Sequence, residues 1–298
     1  MLVFGDMMLD RNVRQVIKKK GTSYPFEKIK NLLGAQDLIL VNLEGPFTKK
    51  NSVATKPDIL RFTFNPALIK DLKKFGFNVF NLANNHTLNF GQAGLKETKD
   101  NIKKNGLYYF GDPHNKIETY YSVNINGRDI AFVGYDQLNG KIDLVLNKIR
   151  ELDKTSDMVI VMAHWGIEYA ARESVWQEKI AHQLIDAGAD MIFGTHPHVI
   201  QPMEIYKGKV IYYSLGNFLF DQDFSEATKT GLGVSLMIGE NSVEHKLVPI
   251  YISRAQITFL PDKKAEKLLS SLSMNSKVDN DFKKQIKSGK IIVNIPQN

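Results

Sequence analysis

Six short apolar runs in this chain are each followed at once by residues able to ligate a metal or hold a substrate, and this repetition constrains the fold most. The runs occupy residues 2–4, 38–41, 79–82, 158–162, 191–193 and 210–213 and are rich in β-branched and aromatic side chains. Several are apolar at every position, as strands covered on both faces are. Behind them come Asp6, then Asn42 and Glu44, then Asn84, Asn85 and His86, then His164, then His196 and His198, then Asn217. An open α/β sheet gathers its ligands outside the carboxyl ends of its strands, so these groups are expected to meet at one end of the fold.

Amphipathic stretches fill the intervals. Asn65-Pro66 opens a helix with Leu68, Ile69 and Leu72 along one stripe, closed by Gly76. Residues 94–104 read as a second helix. Residues 173–187 read as the longest, with Val175, Trp176, Ile180, Leu184 and Ile185 as its apolar face and Gly188 as its stop. With a further strand over 130–133, this alternation predicts an α/β fold. From residue 231 to 259 the pattern turns to a meander over 233–238, 242–249 and 256–259. The expected organisation is one domain over 1–260 followed by a peripheral, charged helical tail over 261–298. The first strand, residues 2–4, looks short before a Gly5-Asp6 turn. Core strands usually run ~5–6 residues. Either this one is short, or a preceding segment, which could carry a signal or anchor, has been trimmed.

Composition removes several classes. Hydrophobic residues make up 43% of 298, enough for a sizeable core. No run reaches the length of a membrane-spanning helix, and no basic-then-apolar leader opens the chain. With 0 cysteines, disulfides and thiolate metal sites are excluded. The net charge of +7 is spread over surface-like lysines, densest at Lys18 to Lys20 and at Lys263-Lys264. Such a surface is either simply solvated or suited to anionic polymers, phosphate groups or an acidic membrane face. No basic motif interleaved with aromatics points to nucleic acid.

The ligand types narrow the chemistry further. Imidazole and carboxylate without thiolate suit manganese, zinc or iron. Asp6, Glu44, Asn85, His164, His196 and His198 exceed the needs of one tetrahedral ion and could serve one or two divalent ions. Paired ions of this kind sit ~3.5–4 Å apart and share a carboxylate. His86, beside Asn85, is then left for catalysis as a general acid or as a donor to phosphate oxygens. Asn42, Asn84 and Asn217 are expected to face substrate, and His114, His182 and His245 to be structural.

The motifs GDMML at 5–9, NLEGP at 42–46, LANNHTLNFG at 82–91, HWGIEY at 164–169, GTHPHVIQP at 194–202 and YSLGNF at 213–218, taken in this order, resemble the capsule-synthesis protein A family. That family includes poly-γ-glutamate synthesis and capsule proteins and is similar to the calcineurin-like metallophosphoesterases. The resemblance implies a four-layered α/β/β/α metallophosphoesterase-like sandwich. It makes Asp6 the first metal aspartate, Glu44 the bridging carboxylate, Asn85 a ligand and His86 the phosphate-facing histidine; His164, His196 and His198 match the remaining ligands. Two positions depart from the phosphoesterase pattern. Met8 stands where a histidine ligand is expected, and a thioether is a poor partner for such an ion. Asn89 stands where an aspartate often follows the Asn-His pair, so a hydrogen bond to His86 is kept without charge.

The resemblance implies a metal-dependent hydrolase or transferase of capsule or poly-γ-glutamate biosynthesis, acting on a phosphoester or an anionic cell-surface polymer. The alternative is a non-catalytic component that binds polymer or the membrane subunits of a capsule or poly-γ-glutamate synthase. A nucleic-acid phosphoesterase ranks last. The expected location is extracytoplasmic and membrane-associated if an upstream anchor was trimmed, and cytoplasmic otherwise.

Overall fold

A computed structural model describes residues 1–49, 60–116 and 120–295. The chain begins β1 (Leu2–Met7), α1 (Arg11–Lys20), α2 (Lys30–Leu33), β2 (Ile39–Leu43), α3 (Leu68–Lys74), β3 (Val79–Asn81), α4 (Gly91–Lys104) and β4 (Tyr108–Phe110). Next come β5 (Tyr120–Ile125), β6 (Arg128–Asp136), α5 (Ile142–Leu152), β7 (Met158–His164), α6 (Val175–Asp186), β8 (Met191–Thr195), β9 (Met203–Tyr206), β10 (Lys209–Tyr212) and β11 (Asn217–Leu219). It finishes with β12 (Thr230–Ile238), β13 (Ser242–Ser253), β14 (Gln256–Phe259), α7 (Asp262–Asn275), α8 (Asn280–Ser288) and β15 (Lys290–Asn294).

Among the described residues these strands form two sheets. The first runs β14-β13-β12-β1-β2-β3-β4, with β11 beside β1 and β15 beside β13; the second runs β5-β6-β7-β8-β10-β9. β1 to β4 are mutually parallel, as are β6, β7, β8 and β10. Strand periodicity sorts the side chains into layers. On β2, Ile39 and Val41 meet Val13, Ile69 and Leu72 of α1 and α3, while Leu40 faces the other way. Leu40 joins Val3 and Val79 against Phe132, Ile160 and Phe193 of the second sheet. The far side of the second sheet, with Val161 and Ile192, packs on Ile149 of α5 and Leu184 of α6. The result is the expected four-layered α/β/β/α sandwich.

Several local expectations are corrected. β1 does not turn at Gly5-Asp6 but continues to Met7, because Gly5 lets the neighbouring backbone approach; a Cβ there would lie 1.9 Å from the Gly216 carbonyl oxygen. α6 starts at a capping box in which Ser174 Oγ accepts from Gln177 N–H and Gln177 Oε1 accepts from Ser174 N–H. That start sets the helix phase so that Gln177, Ile180, Ala181, Leu184 and Ile185 face inward, while Val175 and Trp176 are 81% and 65% exposed. α1 escaped the sequence reading although Asp10 caps it and Val13 and Ile17 are buried; Lys18 to Lys20 form its last turn, where cations suit the helix dipole. β4, β5, β9, β11 and α5 also escaped it; β4 and β11 are only 3 residues long and β9 only 4.

Residues after 260 contain α7 and α8 and, beyond the helical tail expected, the strand β15. β15 pairs antiparallel with β13, and Leu269, Leu272, Ile286 and Ile291 enter the core between the sheets. The meander continues the first sheet through long β12–β13 pairing from Thr230↔Tyr251 to Ile238↔Val243. No helix among the described residues is long and apolar enough to cross a membrane.

Candidate metal centre

The carboxyl ends of the parallel strands of both sheets converge, and the expected ligands converge with them. β1 delivers Asp6, the end of β2 delivers Asn42 and the following Glu44, and the turn after β3 delivers Asn84, Asn85 and His86. From the second sheet, β7 ends in His164 and the loop after β8 carries His196 and His198.

Asp6 is fully buried and lies at the middle of this group. Its Oδ1 accepts from Asn42 Nδ2 at 2.7 Å, and its Oδ2 accepts from the His196 backbone N–H at 3.0 Å and lies 3.3 Å from His198 Nδ1. Burial alone would push its carboxyl up, but the His198 hydrogen bond and charge, with His164 and Asn42, hold it down at about 2. On His198 burial pulls the other way, yet Glu44 and Asp6 raise that ring to about 9. Glu44 is also fully buried, and burial drives its carboxyl well above the usual range. Neither Glu44 oxygen has a hydrogen-bond partner; Oε1 lies 3.7 Å from His198 Nε2 and 3.6 Å from His86 Nε2.

His164 and Asn85 present Nε2 and Oδ1 to each other at 3.0 Å. Burial first, then His196, lowers the His164 pKa well below the ordinary imidazole value. His196 is lowered by burial too, and its Nδ1 is buried without a partner. His196 and His198 both hold positive φ, 92° and 59°, on either side of Pro197. For non-glycine residues such backbone costs ~1–3 kcal/mol each and concentrates at functional sites.

These features fit a divalent cation. Buried polar atoms are nearly always satisfied in folded proteins, so two bare oxygens on Glu44 and a bare Nδ1 on His196 call for a missing partner. Asp6, Glu44 and His198 can each bring one ligand atom within 4.8 Å of the others, and so can Glu168, His196 and His198.

The three asparagines expected against substrate lie behind the ligands instead. Asn42 Oδ1 accepts from Asn81 and Asn84, which turns its Nδ2 towards Asp6 and His164 Nδ1. Asn84 Oδ1 accepts from the backbone of His86 and Thr87, while its Nδ2 donates to Asn42 and Leu43. Asn217 Oδ1 pairs with His198 Nδ1 at 3.0 Å, and its Nδ2 donates to Gln222 and the Thr228 carbonyl. All three are at most 1% exposed and spend their amides inside the protein, against the expected ligands.

His86 stands at the edge of the centre. Asn89 Oδ1 accepts from its Nδ1 at 3.1 Å and also from the Phe62 N–H, which leaves Nε2 facing Glu44. Phe62 lies 4.3 Å from the His86 ring and Phe220 lies 4.8 Å from that of His198, closing one wall. Burial lowers the His86 pKa to about 4. Met8 is fully buried in the helix-side core, and its sulfur accepts the Asp10 N–H at 3.0 Å.

Of the histidines expected to be structural, His182 also joins Glu178 and Glu204 in a group whose ligand atoms lie within 4.8 Å of one another. His114 is exposed, His182 Nε2 pairs with Glu204 at 2.9 Å under a stacked Tyr206, and His245 Nδ1 meets Tyr212 Oη at 2.9 Å. Sequence reasoning missed Glu168 and Tyr169, although both lie inside a motif it quoted. Tyr169 sits 6.1 Å from the His198 ring and borders a cleft of ≈ 530 Å³ walled by Val199, Ile200, Leu260 and Leu268. Lys264 and Lys267 of α7 line the same cleft.

Residues 1–222 match the family described as bacterial capsule synthesis protein PGA_cap. The chain is 31% identical to the PGA biosynthesis protein CapA of Bacillus subtilis, over 98% of this chain and 81% of that protein. It is 33% identical to the capsule biosynthesis protein CapA of Bacillus anthracis, over 78% of this chain and 62% of that protein. Among solved structures, a hypothetical protein from Thermus thermophilus aligns over 86% of this chain and 95% of its own with a TM-score of 0.49 and 15% identity. With its match spanning all the motifs that form the centre, this chain belongs to the bacterial capsule synthesis protein family.

Proposed function

We propose that this protein is a metal-dependent hydrolase or transferase of capsule or poly-γ-glutamate biosynthesis, acting on a phosphoester or on an anionic cell-surface polymer. The observation that carries the reading is Glu44: a fully buried carboxylate with neither oxygen hydrogen-bonded, set between His198 and His86. Leaving such a group unsatisfied is costly unless a cation completes it. Asp6, Glu44, Asn85, His164, His196 and His198 would hold one or two ions, with manganese, zinc and iron the metals suited to these donors. A bound divalent ion supplies Lewis acidity and a water of lowered pKa.

The chain's own residues do the rest. Asn42, Asn84 and Asn217 orient the ligands and keep their donors fixed. Asn89 fixes the His86 ring with Nδ1 as donor, so a proton is taken or given at Nε2, at the edge facing Glu44. The Phe62 and Phe220 wall excludes water on one side. The cleft beyond Tyr169, apolar along its wall, with Lys267 beside it and Lys264 paired to Glu226 on its rim, suits a chain that alternates methylene segments with negative charges. The printed names of the relatives, a PGA biosynthesis protein and a capsule biosynthesis protein, support a place for this chain in such a synthesis machinery.

A non-catalytic polymer-holding role is the second reading, and Met8 favours it, since its sulfur is occupied and it offers no ligand. The test is metal content by elemental analysis, with hydrolysis measured on generic phosphoesters and on poly-γ-glutamate. Bound manganese, zinc or iron with turnover lost on chelation, and His86→Ala that keeps metal but loses turnover, support the enzyme. Metal without turnover on either substrate supports the holding role.

A further inference from the structure

The carboxylate that makes up the metal-ligand set in place of Met8 is Glu168, we propose, entering from the loop after β7; this rests on the reading of the centre as metal-binding. Met8 itself is excluded as a ligand by its position, for its sulfur is buried in the helix-side core and already accepts the Asp10 N–H. Glu168 is half-buried, and its carboxylate lies with His196 and His198 so that one ligand atom from each falls within 4.8 Å of the others. His196 in that group is buried to 6% exposure and carries an Nδ1 without a partner.

The loop bearing Glu168 is held in this place. Gly166 N–H donates to Gln137 Oε1 at 2.9 Å, and Tyr169 N–H donates to the Pro197 carbonyl at 2.8 Å, between the two histidines. Gln201 Nε2 donates to the carbonyls of Ala170 and Arg172, and its Oε1 accepts from the buried Gln177. The strand end that supplies His164 and the loop that supplies His196 and His198 are therefore cross-linked around Glu168. Ligand positions fixed in this way before an ion arrives are the arrangement that tight metal sites require. A carboxylate oxygen, unlike a thioether, also suits the same manganese, zinc or iron as the other donors.

The test uses the full chain, stripped of metal by chelation, in wild-type, Glu168→Gln and Glu168→Ala forms. Each is titrated with Mn2+ by calorimetry and loaded with Co2+ for its visible absorption spectrum. Loss of a group that merely supports a ligand costs ~10–100-fold in affinity, so loss of a ligand should cost at least tenfold. The expected result is that both variants lose at least tenfold in Mn2+ affinity for one class of ion and change the Co2+ spectrum, while the metal-free proteins unfold within a degree or two of wild type. Variants that bind Mn2+ within twofold of wild type would overturn the role of Glu168 and leave the metal reading intact. Weaker binding with an unchanged Co2+ spectrum would also overturn it, since Glu168 would then act through its charge alone. A wild-type protein that binds neither ion would overturn the metal reading itself.

Discussion

Acidification should destabilise this protein through His245, away from the candidate metal centre. His245 lies on β13, fully buried between the two sheets, with Nδ1 against Tyr212 Oη and Nε2 without a partner. Burial is the sole cause that lowers its pKa, from 6.5 to about 3. The sign follows from linkage: a histidine depressed in the folded state contributes stability above its unfolded pKa and loses it as pH falls towards the folded value. At pH 5 the unfolded chain holds a proton on this ring that the folded chain refuses. From 6.5 down to pH 5 the difference, at ~1.36 kcal/mol per pH unit, is about 2 kcal/mol. Asn is the substitution of choice because it keeps a polar acceptor near Tyr212 and cannot titrate. Urea unfolding of chelated wild type and His245→Asn at pH 7, 6 and 5 reads the effect. His86, His164, His196, Glu44 and Asp136 also have displaced pKa values, but they are common to both proteins and cancel in the comparison. Wild type should lose about 2 kcal/mol more than the variant between pH 7 and pH 5. Parallel losses would show that the inter-sheet core admits the charge or water, and the argument would be wrong.

Other perturbations probe the centre and its supports. Gly5→Ala would drive a Cβ to 1.9 Å from the Gly216 carbonyl oxygen and force β1 from β11, so the urea midpoint should fall by the equivalent of ~3 kcal/mol; a drop under ~0.5 kcal/mol would contradict the close packing. Asn217→Ala frees His198 and Gln222 from their shared partner, and metal affinity measured by chelator competition should fall ~10-fold or more. Asn89→Asp keeps an acceptor for His86 and adds a charge, so NMR titration of the chelated protein should find the His86 pKa moved from about 4 back towards 6.5. Ending the chain after Val278 removes β15 and uncovers the core positions left by Ile286 and Ile291; two buried isoleucines amount to ~3–6 kcal/mol, and the shortened protein should aggregate or melt far below the full chain.

Much of the fold was legible because its signals are local. Residues 158–162 and 191–193 announce β7 and β8 by β-branched and aromatic content, and the alternation with helical stretches announces α/β. The same holds for α3 and α4, whose stripes repeat within a turn or two. Where a local signal was read wrongly, a longer-range partner decided the outcome. Val175 and Trp176 look like core, but the capping box at Ser174 sets a phase that turns Gln177 inward, where Gln201, from another loop, accepts its amide. Gly5-Asp6 looks like a turn, but the carbonyl of Gly216, some two hundred residues away in sequence, makes it strand.

The centre divides the same way. Sequence alone determined which residue types arrive at the strand ends: Asp6, Glu44, Asn85, His86, His164, His196 and His198 follow apolar runs one after another, and that order needs no coordinates. Only the tertiary structure decided where each stands and what it touches, because two sheets must pack face to face before β1, β2 and β3 can set their ends against β7 and β8. That packing set the amides of Asn42, Asn84 and Asn217 inside the protein, left both carboxylate oxygens of Glu44 without a hydrogen bond, and brought Glu168 beside His196 and His198. Hydrogen bonds and ligand geometry depend on ångström distances between segments remote in the chain, and no periodicity within a segment encodes those distances.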